Sequence, residues 1–378
     1  MAASVSADLP RRLPVVPVPL PDESLLSWLD QLSAVYGVNR IIAAQACGVM
    51  RLDDRVVRIS ASSSASAVFG MEDDDVRRVR AATGLTSTKV RQMTWTRFAG
   101  SLDSEVSGSS RRAVSVNVGD PGALRFCPSC VEERDGRWPL AWSTPWVFAC
   151  LKHQCYLLTA CPACRRSVRA GEADLARGAC RGAVRDTVHG IVRSCSTAYR
   201  NMQAPPLRDP LLAGLQRRLD DHLSLAVPNL GAARADLTDL AAMADMALFL
   251  ATPDHLSDAD PVVLERFTVF SRRYSATYGR LMRKKDRDTP ELLVRTGCLR
   301  IASKVVFSKD PLSTALTLAD FKSRPFAPSV RPLHQSWLMR PPGDTTERLA
   351  KIVSAVRAPA RPTRGDASRI EVGGPVSH

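Results

Sequence analysis

The chain has 378 residues, 45% of them hydrophobic and 24% charged, which supports two or three domains with a buried core and excludes global disorder. Its 52 basic against 38 acidic residues give a formal charge of +14, a balance that favours an anionic partner, nucleic acid first. The best apolar run, residues 240–253, is short, carries Asp245 and ends in Pro253, so no membrane span is expected.

Residues 1–20 are Pro-rich and read as an extended segment. Arg11-Arg12 has the look of a twin-arginine export signal, but four prolines in the following "LPVVPVPLPDES" break the apolar helix such a signal needs. The expected location is therefore the cytoplasm, where structural disulfides are rare. From Pro21 the pattern turns helical. Asp22 or Ser24 can cap a helix along which Leu25, Leu26, Leu29, Leu32 and Tyr36 recur, and Gly37 ends it. Trp28 falls off that stripe, so it either packs against a neighbouring domain or anchors a partner. Asn39 caps a second short helix, "RIIAAQAC", that stops at Gly48. Two short helices joined through glycine have a helix-turn-helix outline. After a serine-rich break at residues 60–67, "DDDVRRVRAATGL" reads as another helix, its aspartates complementing the N-terminal dipole. Residues 21–120 are taken as one small helical domain, and 121–200 as a cysteine-rich region.

That region begins "FCPSCVEERDGRWPLAWSTPWVFACLKHQCYLLTACPAC", with six of the chain's ten cysteines in one stretch. Cys127-x2-Cys130 is followed by Cys150-x2-His153, then by Cys161-x2-Cys164, Cys180 and Cys195. A Cys-x-x-Cys turn sets two thiolates about one tetrahedral edge apart, and a second pair completes four-coordinate zinc. The spacing predicts two structural zinc ions: Cys127, Cys130, Cys150 and His153 for the first, Cys161, Cys164, Cys180 and Cys195 for the second. Neither set leaves an open coordination position for metal-activated water. A redox dithiol needs only one such pair, and disulfides need an oxidising compartment. Cys155 is a substitute for His153 if the turn is shifted, and His189 a substitute in the second set. Cys47 and Cys298 lie in apolar helical stretches and are expected to be buried. Residues 127–200 carry 11 basic and 6 acidic side chains, a balance of +5. Seven thiolates and two zinc ions add −7 and +4, which leaves about +2 and a nearly neutral zinc region.

The remainder, residues 201–357, reads as a helical domain with segments at 211–225, 236–250, 260–282, 290–305 and 311–321, and residues 358–378 as a disordered tail. Residues 266–309 hold 12 basic against 3 acidic residues. Within them Arg272, Arg273, Arg280, Arg283, Lys284, Lys285 and Arg287 surround Tyr274 and Tyr278, and most of the cations can share one helix face. Such a row is the candidate phosphate-binding surface.

Taken together, "PDESLLSWLDQLSAVYGV" and the cysteine stretch closely resemble the TniQ family of transposition target-selection proteins. Pro21, Glu23, Ser24, Leu25, Ser27, Trp28 and Leu29 match its N-terminal helix. Cys127, Pro128, Cys130, Glu132, Trp142, Cys150, His153, Cys161, Pro162 and Cys164 match its knuckles. The chain departs from the pattern at Leu151-Lys152, where a proline is usual, and at Arg165, where a glycine is common. The resemblance implies a non-catalytic adaptor that links target DNA, or an RNA-guided targeting complex, to an AAA+ ATPase regulator and through it to a transposase. No GxxxxGK[ST] loop or carboxylate triad argues for an enzyme. Rival readings are a zinc-containing helix-turn-helix transcriptional regulator and a protein scaffold whose basic charge is incidental; a homodimer stays open. The expected fold class is mainly α: a helix-turn-helix-like domain, two zinc ribbons and a helical C-terminal domain.

Overall fold

The computed structural model describes residues 9–49, 70–98, 125–168, 178–180, 182–185, 192–224, 229–277, 291–309 and 346–351. Among these residues the chain is mainly helical, with two short antiparallel ladders in the cysteine region.

The N-terminal helices begin and end where local chemistry dictates. Helix α1 (Leu25–Tyr36) is capped by Ser24, whose hydroxyl accepts from the Ser27 N–H, and it ends at Gly37, left-handed at φ 63°. Asn39 caps α2 (Arg40–Ala46) by accepting from Ile42 N–H at 2.9 Å. Helix α3 (Asp73–Thr83) opens on three aspartates, and α4 (Ser87–Gln92) is capped by Thr86. Leu25, Leu29, Leu32, Val76, Val79 and Val90 form the buried seam between them. Trp28 is fully buried off that seam, beneath the proline-rich segment of residues 9–20, where its indole N–H donates to the Pro17 carbonyl at 2.8 Å.

The start of α1 is bonded directly into the cysteine region. The buried Glu23 carboxylate accepts from Leu20 N–H at 3.0 Å, from the Ser27 hydroxyl at 2.8 Å and from Arg137 Nε at 2.9 Å. Ser27 Oγ in turn accepts from Trp138 N–H at 3.1 Å, and Leu140 N–H donates to the Asp22 carbonyl at 2.8 Å. Trp95 donates to Ser143 Oγ at 2.7 Å from the other side. The two stretches that carry the family resemblance thus meet in space.

The C-terminal helices are α6 (Pro210–His222), α7 (Leu230–Leu250), α8 (Pro261–Thr277) and α9 (Leu292–Val306), with α5 (Pro128–Glu133) lying earlier, in the cysteine region. Helix α9 is buried on nearly every side and packs against α6, α7 and α8. Gly297 permits this closeness, since a Cβ there would meet Leu256 Cδ1 at 2.9 Å. Arg300 on α9 is 2% exposed and pairs with Asp209, the cap of α6, and with Asp258. Helix α7 starts six residues before the predicted 236, because Asn229 accepts from Ala232 N–H and fixes an earlier first turn. The predicted helix at 311–321 lies outside the described residues. No helix among the described residues is long and apolar enough to cross a membrane.

Candidate metal centres

Each donor of the first cluster is placed by a tight local turn. Cys127 caps α5, Pro128 occupies its first position, where a missing N–H is tolerated, and Cys130 follows one turn later. Strand β1 (Ala149–Cys150) pairs with β2 (Cys155–Tyr156) in the register Cys150↔Cys155, and the turn between them carries His153. Gln154 closes that turn at φ 48°. His153 Nδ1 then lies 3.4 Å from Cys127 Sγ, 3.2 Å from Cys130 Sγ and 3.5 Å from Cys150 Sγ, and Cys130 and Cys150 are 3.6 Å apart. Metal bonds of ~2.3 Å to sulfur and ~2.0 Å to nitrogen at tetrahedral angles give S···S edges of ~3.8 Å and S···N edges of ~3.5 Å. The donors fit one four-coordinate ion. Behind the imidazole, Nε2 contacts Glu133 Oε1 at 3.1 Å, so Nε2–H donates when Nδ1 faces the thiolates. Glu133 also receives Lys152 Nζ.

The thiols polarise one another. Cys127 is pulled down to about 6, first by its hydrogen bond with Cys130, and Cys150 is lowered, first by Cys127. Cys130 and Cys155 are pushed up, first by contact with Cys127. Burial pulls the His153 imidazole down, but hydrogen bonds with Cys150 and Glu133 outweigh it and raise the group. A positive ion at the centre would ionise all the thiols it binds.

The second cluster solves a geometric problem that its spacing leaves open, since Cys180 and Cys195 are far apart in sequence. Strands β3 (Ala183–Arg185) and β4 (Val192–Ser194) form an antiparallel ladder between them, with Ala183 opposite Ser194. Cys195 N–H donates to the Gly182 carbonyl at 2.7 Å and Cys180 N–H to the Thr197 carbonyl at 2.9 Å. The ladder brings both thiols to the Cys161–Cys164 turn, with Cys161 3.9 Å from Cys195 and Cys164 3.7 Å from Cys180. Within each cluster all four ligand atoms lie within 4.8 Å of one another. Cys195 is lowered to about 7, first by its hydrogen bond with Thr197, and burial raises Cys180 to about 12.

Other predicted positions fall elsewhere. Cys47 and Cys298 are buried in helical packing. Cys155 Sγ sits 3.6 Å from Cys127 Sγ, beside the first cluster and without any shift of the turn. His189 lies outside the described residues, as do Arg280, Arg283, Lys284, Lys285 and Arg287. Arg272 and Arg273 are exposed towards the end of α8. Arg40, the one cation of α2, is held by Asp30 of α1. Residues that spacing could not reveal are Glu23 and Arg137, whose contact spans 114 positions.

Two clusters of four Cys/His donors, carried on turns and short ladders, define a mainly helical protein with two sites that could each hold a metal ion. The family model described as TniQ matches residues 14–157, so the chain carries over that stretch a domain similar to the TniQ family, which is associated with transposition. The match takes in α1, the Glu23–Arg137 contact and the whole first cluster, and ends before the second. No curated protein matches the chain.

Proposed function

We propose that this protein is a non-catalytic, zinc-binding adaptor of transposition that links target DNA, or a targeting complex, to an AAA+ ATPase regulator. The observation that carries the reading is the TniQ match over residues 14–157, together with the packing of its two signature stretches against each other through Glu23, Ser27 and Arg137. Zinc is the metal assigned to both clusters, because closed tetrahedral sets of cysteine and histidine suit zinc as a structural ion. The domain scheme of 21–120, 121–200 and 201–357 is retained, with the first two acting as one body in the adaptor. Trp28 serves that body as a packing residue beneath the proline-rich segment. The helix-turn-helix regulator is the weaker reading, since α2 is seven residues long and its cation is engaged by Asp30.

DNA contact is assigned to the basic stretch from Arg272 to Arg287, which includes Arg273, Arg280, Arg283, Lys284 and Lys285. Each phosphate contact releases about 0.9 of a counterion, so replacing Arg283, Lys284 and Lys285 by alanine should flatten the salt dependence of DNA binding by roughly two to three units of slope. An unchanged slope would assign that charge to solubility. The adaptor role itself is tested by co-purifying the zinc-loaded chain with the AAA+ regulator of a transposon that encodes both. Retention that survives nuclease treatment supports it, and a regulator that never associates, with or without DNA, refutes it.

A further inference from the structure

A further thiol lies beside the first cluster. Cys127, Cys130, Cys150 and His153 already make a complete set. Yet Cys155 places a fifth ligand atom 3.6 Å from Cys127 Sγ, a tetrahedral-edge separation. It stands across the β1–β2 ladder from Cys150, which the register pairs with it. Cys155 therefore shares Cys127 as a neighbour with His153.

The two alternative donors differ in exposure and in what holds them. The His153 side chain is 20% exposed and tied by Nε2 to Glu133, a surface carboxylate that also binds the exposed Lys152. Cys155 is 8% exposed and fixed in the first position of β2, where its backbone bridges to Pro206.

We infer that Cys155 is a reserve ligand of the first metal site, able to replace His153 and convert the site from three cysteines and one histidine to four cysteines without releasing the ion. The exchange is a ligand substitution: the metal–Nδ1 bond breaks, a metal–sulfur bond forms, and the Cys155 thiol proton passes to the freed imidazole or to solvent. The inference rests on the proposed metal reading, and its test separates the two. It gives the exposed Glu133–His153–Lys152 surface a way to move when a partner binds while the hairpin beneath stays metal-bound.

The experiment loads the full chain with Co2+ and compares wild type with His153→Ala, Cys155→Ser and the double variant by metal content and absorption. Wild type with fewer than two ions per chain would refute the metal reading itself. Given two ions in wild type, the inference expects His153→Ala to keep both. Its sulfur-to-cobalt charge-transfer intensity should rise by about one-seventh, as three plus four thiolates become eight. The double variant should lose one ion. Loss of an ion from His153→Ala alone, unchanged intensity, or a double variant indistinguishable from the single would overturn it. Should His153→Ala fail to fold, Cys155→Ser decides alone. Removing the reserve ligand should speed chelator extraction of the first ion by about tenfold, the scale on which groups around a site alter metal affinity, and an unchanged rate would overturn the inference.

Discussion

Replacing Glu23 by alanine should be among the most damaging single changes in the N-terminal half. The carboxylate has no exposure and accepts from Leu20 N–H, Ser27 Oγ–H and Arg137, whose own side chain is 17% exposed. Alanine strands the guanidinium, and Arg137 keeps only the Val18 carbonyl, with which it bonds at 2.7 Å. Breaking a buried pair from one side costs about 3–5 kcal/mol, because an uncompensated charge stays behind. At about 2–4 °C per kcal/mol for a unit of this size, the melting midpoint of the zinc-loaded protein should fall by roughly 10 °C. Thermal unfolding followed by circular dichroism and tryptophan fluorescence measures it. Glu23→Leu combined with Arg137→Met should recover much of the loss, since removing both charges leaves neither unpaired. A fall equivalent to less than about 1 kcal/mol would refute the reasoning, because that is the scale of a solvated surface pair.

Three further outcomes are expected. Metal analysis of the reduced protein should find about two zinc ions per chain, and a strong chelator should unfold the cysteine region, since structural zinc contributes on the order of 10–16 kcal/mol to such modules; a metal-free chain with an intact fold would refute the assignment. Arg165→Gly should raise stability by about 0.5–1 kcal/mol, because Arg165 holds φ 57° just after the second knuckle and only glycine does so without strain; a lower melting midpoint would mean that the arginine side chain itself is needed. Asp258 is held at about 2, first by the hydrogen bond from Arg300, below the ~3.9 of an unfolded aspartate. Its contribution is therefore complete above that value and lost as pH falls through 2, and Asp258→Asn should flatten this acid limb of a pH–stability curve.

What the sequence reveals is what is decided locally. The cap at Asn39, the left-handed stop at Gly37 and the acidic opening of α3 depend on neighbours within a few residues, so their signals survive in one dimension. Helix α5 is only six residues long and begins on a proline inside a cysteine turn, so no periodicity announces it. The second cluster is legible as a set of four cysteines but not as a geometry, because the hairpin that joins Cys180 to Cys195 is set by backbone pairing. Cys155 shows the opposite limit. Spacing makes it a rival of His153, whereas the hairpin places both beside the same thiol, Cys127.

The charge argument also changes in three dimensions. Buried cations and anions both leave the count that an approaching partner feels. Among the described residues the buried ionic residues are Arg78, Arg125 and Arg300 against Glu23, Asp209, Asp236, Asp239 and Asp260. Three positive and five negative charges sum to −2, so the rest of the chain carries +14 − (−2) = +16. Two filled clusters would contribute −7 + 4 = −3, most of it at thiolates that the fold already encloses. The acidic side chains are thus drawn preferentially inward: Asp209 caps a helix, Asp260 accepts from Tyr156 and two backbone amides, and Asp239 receives Arg348 and Thr346. Spending carboxylates on internal hydrogen bonds leaves the exterior more basic than the composition indicates. A long-range field of this sign raises the local concentration of a polyanion before any specific contact forms. That favours a polyanion over a neutral surface as the first partner the protein meets.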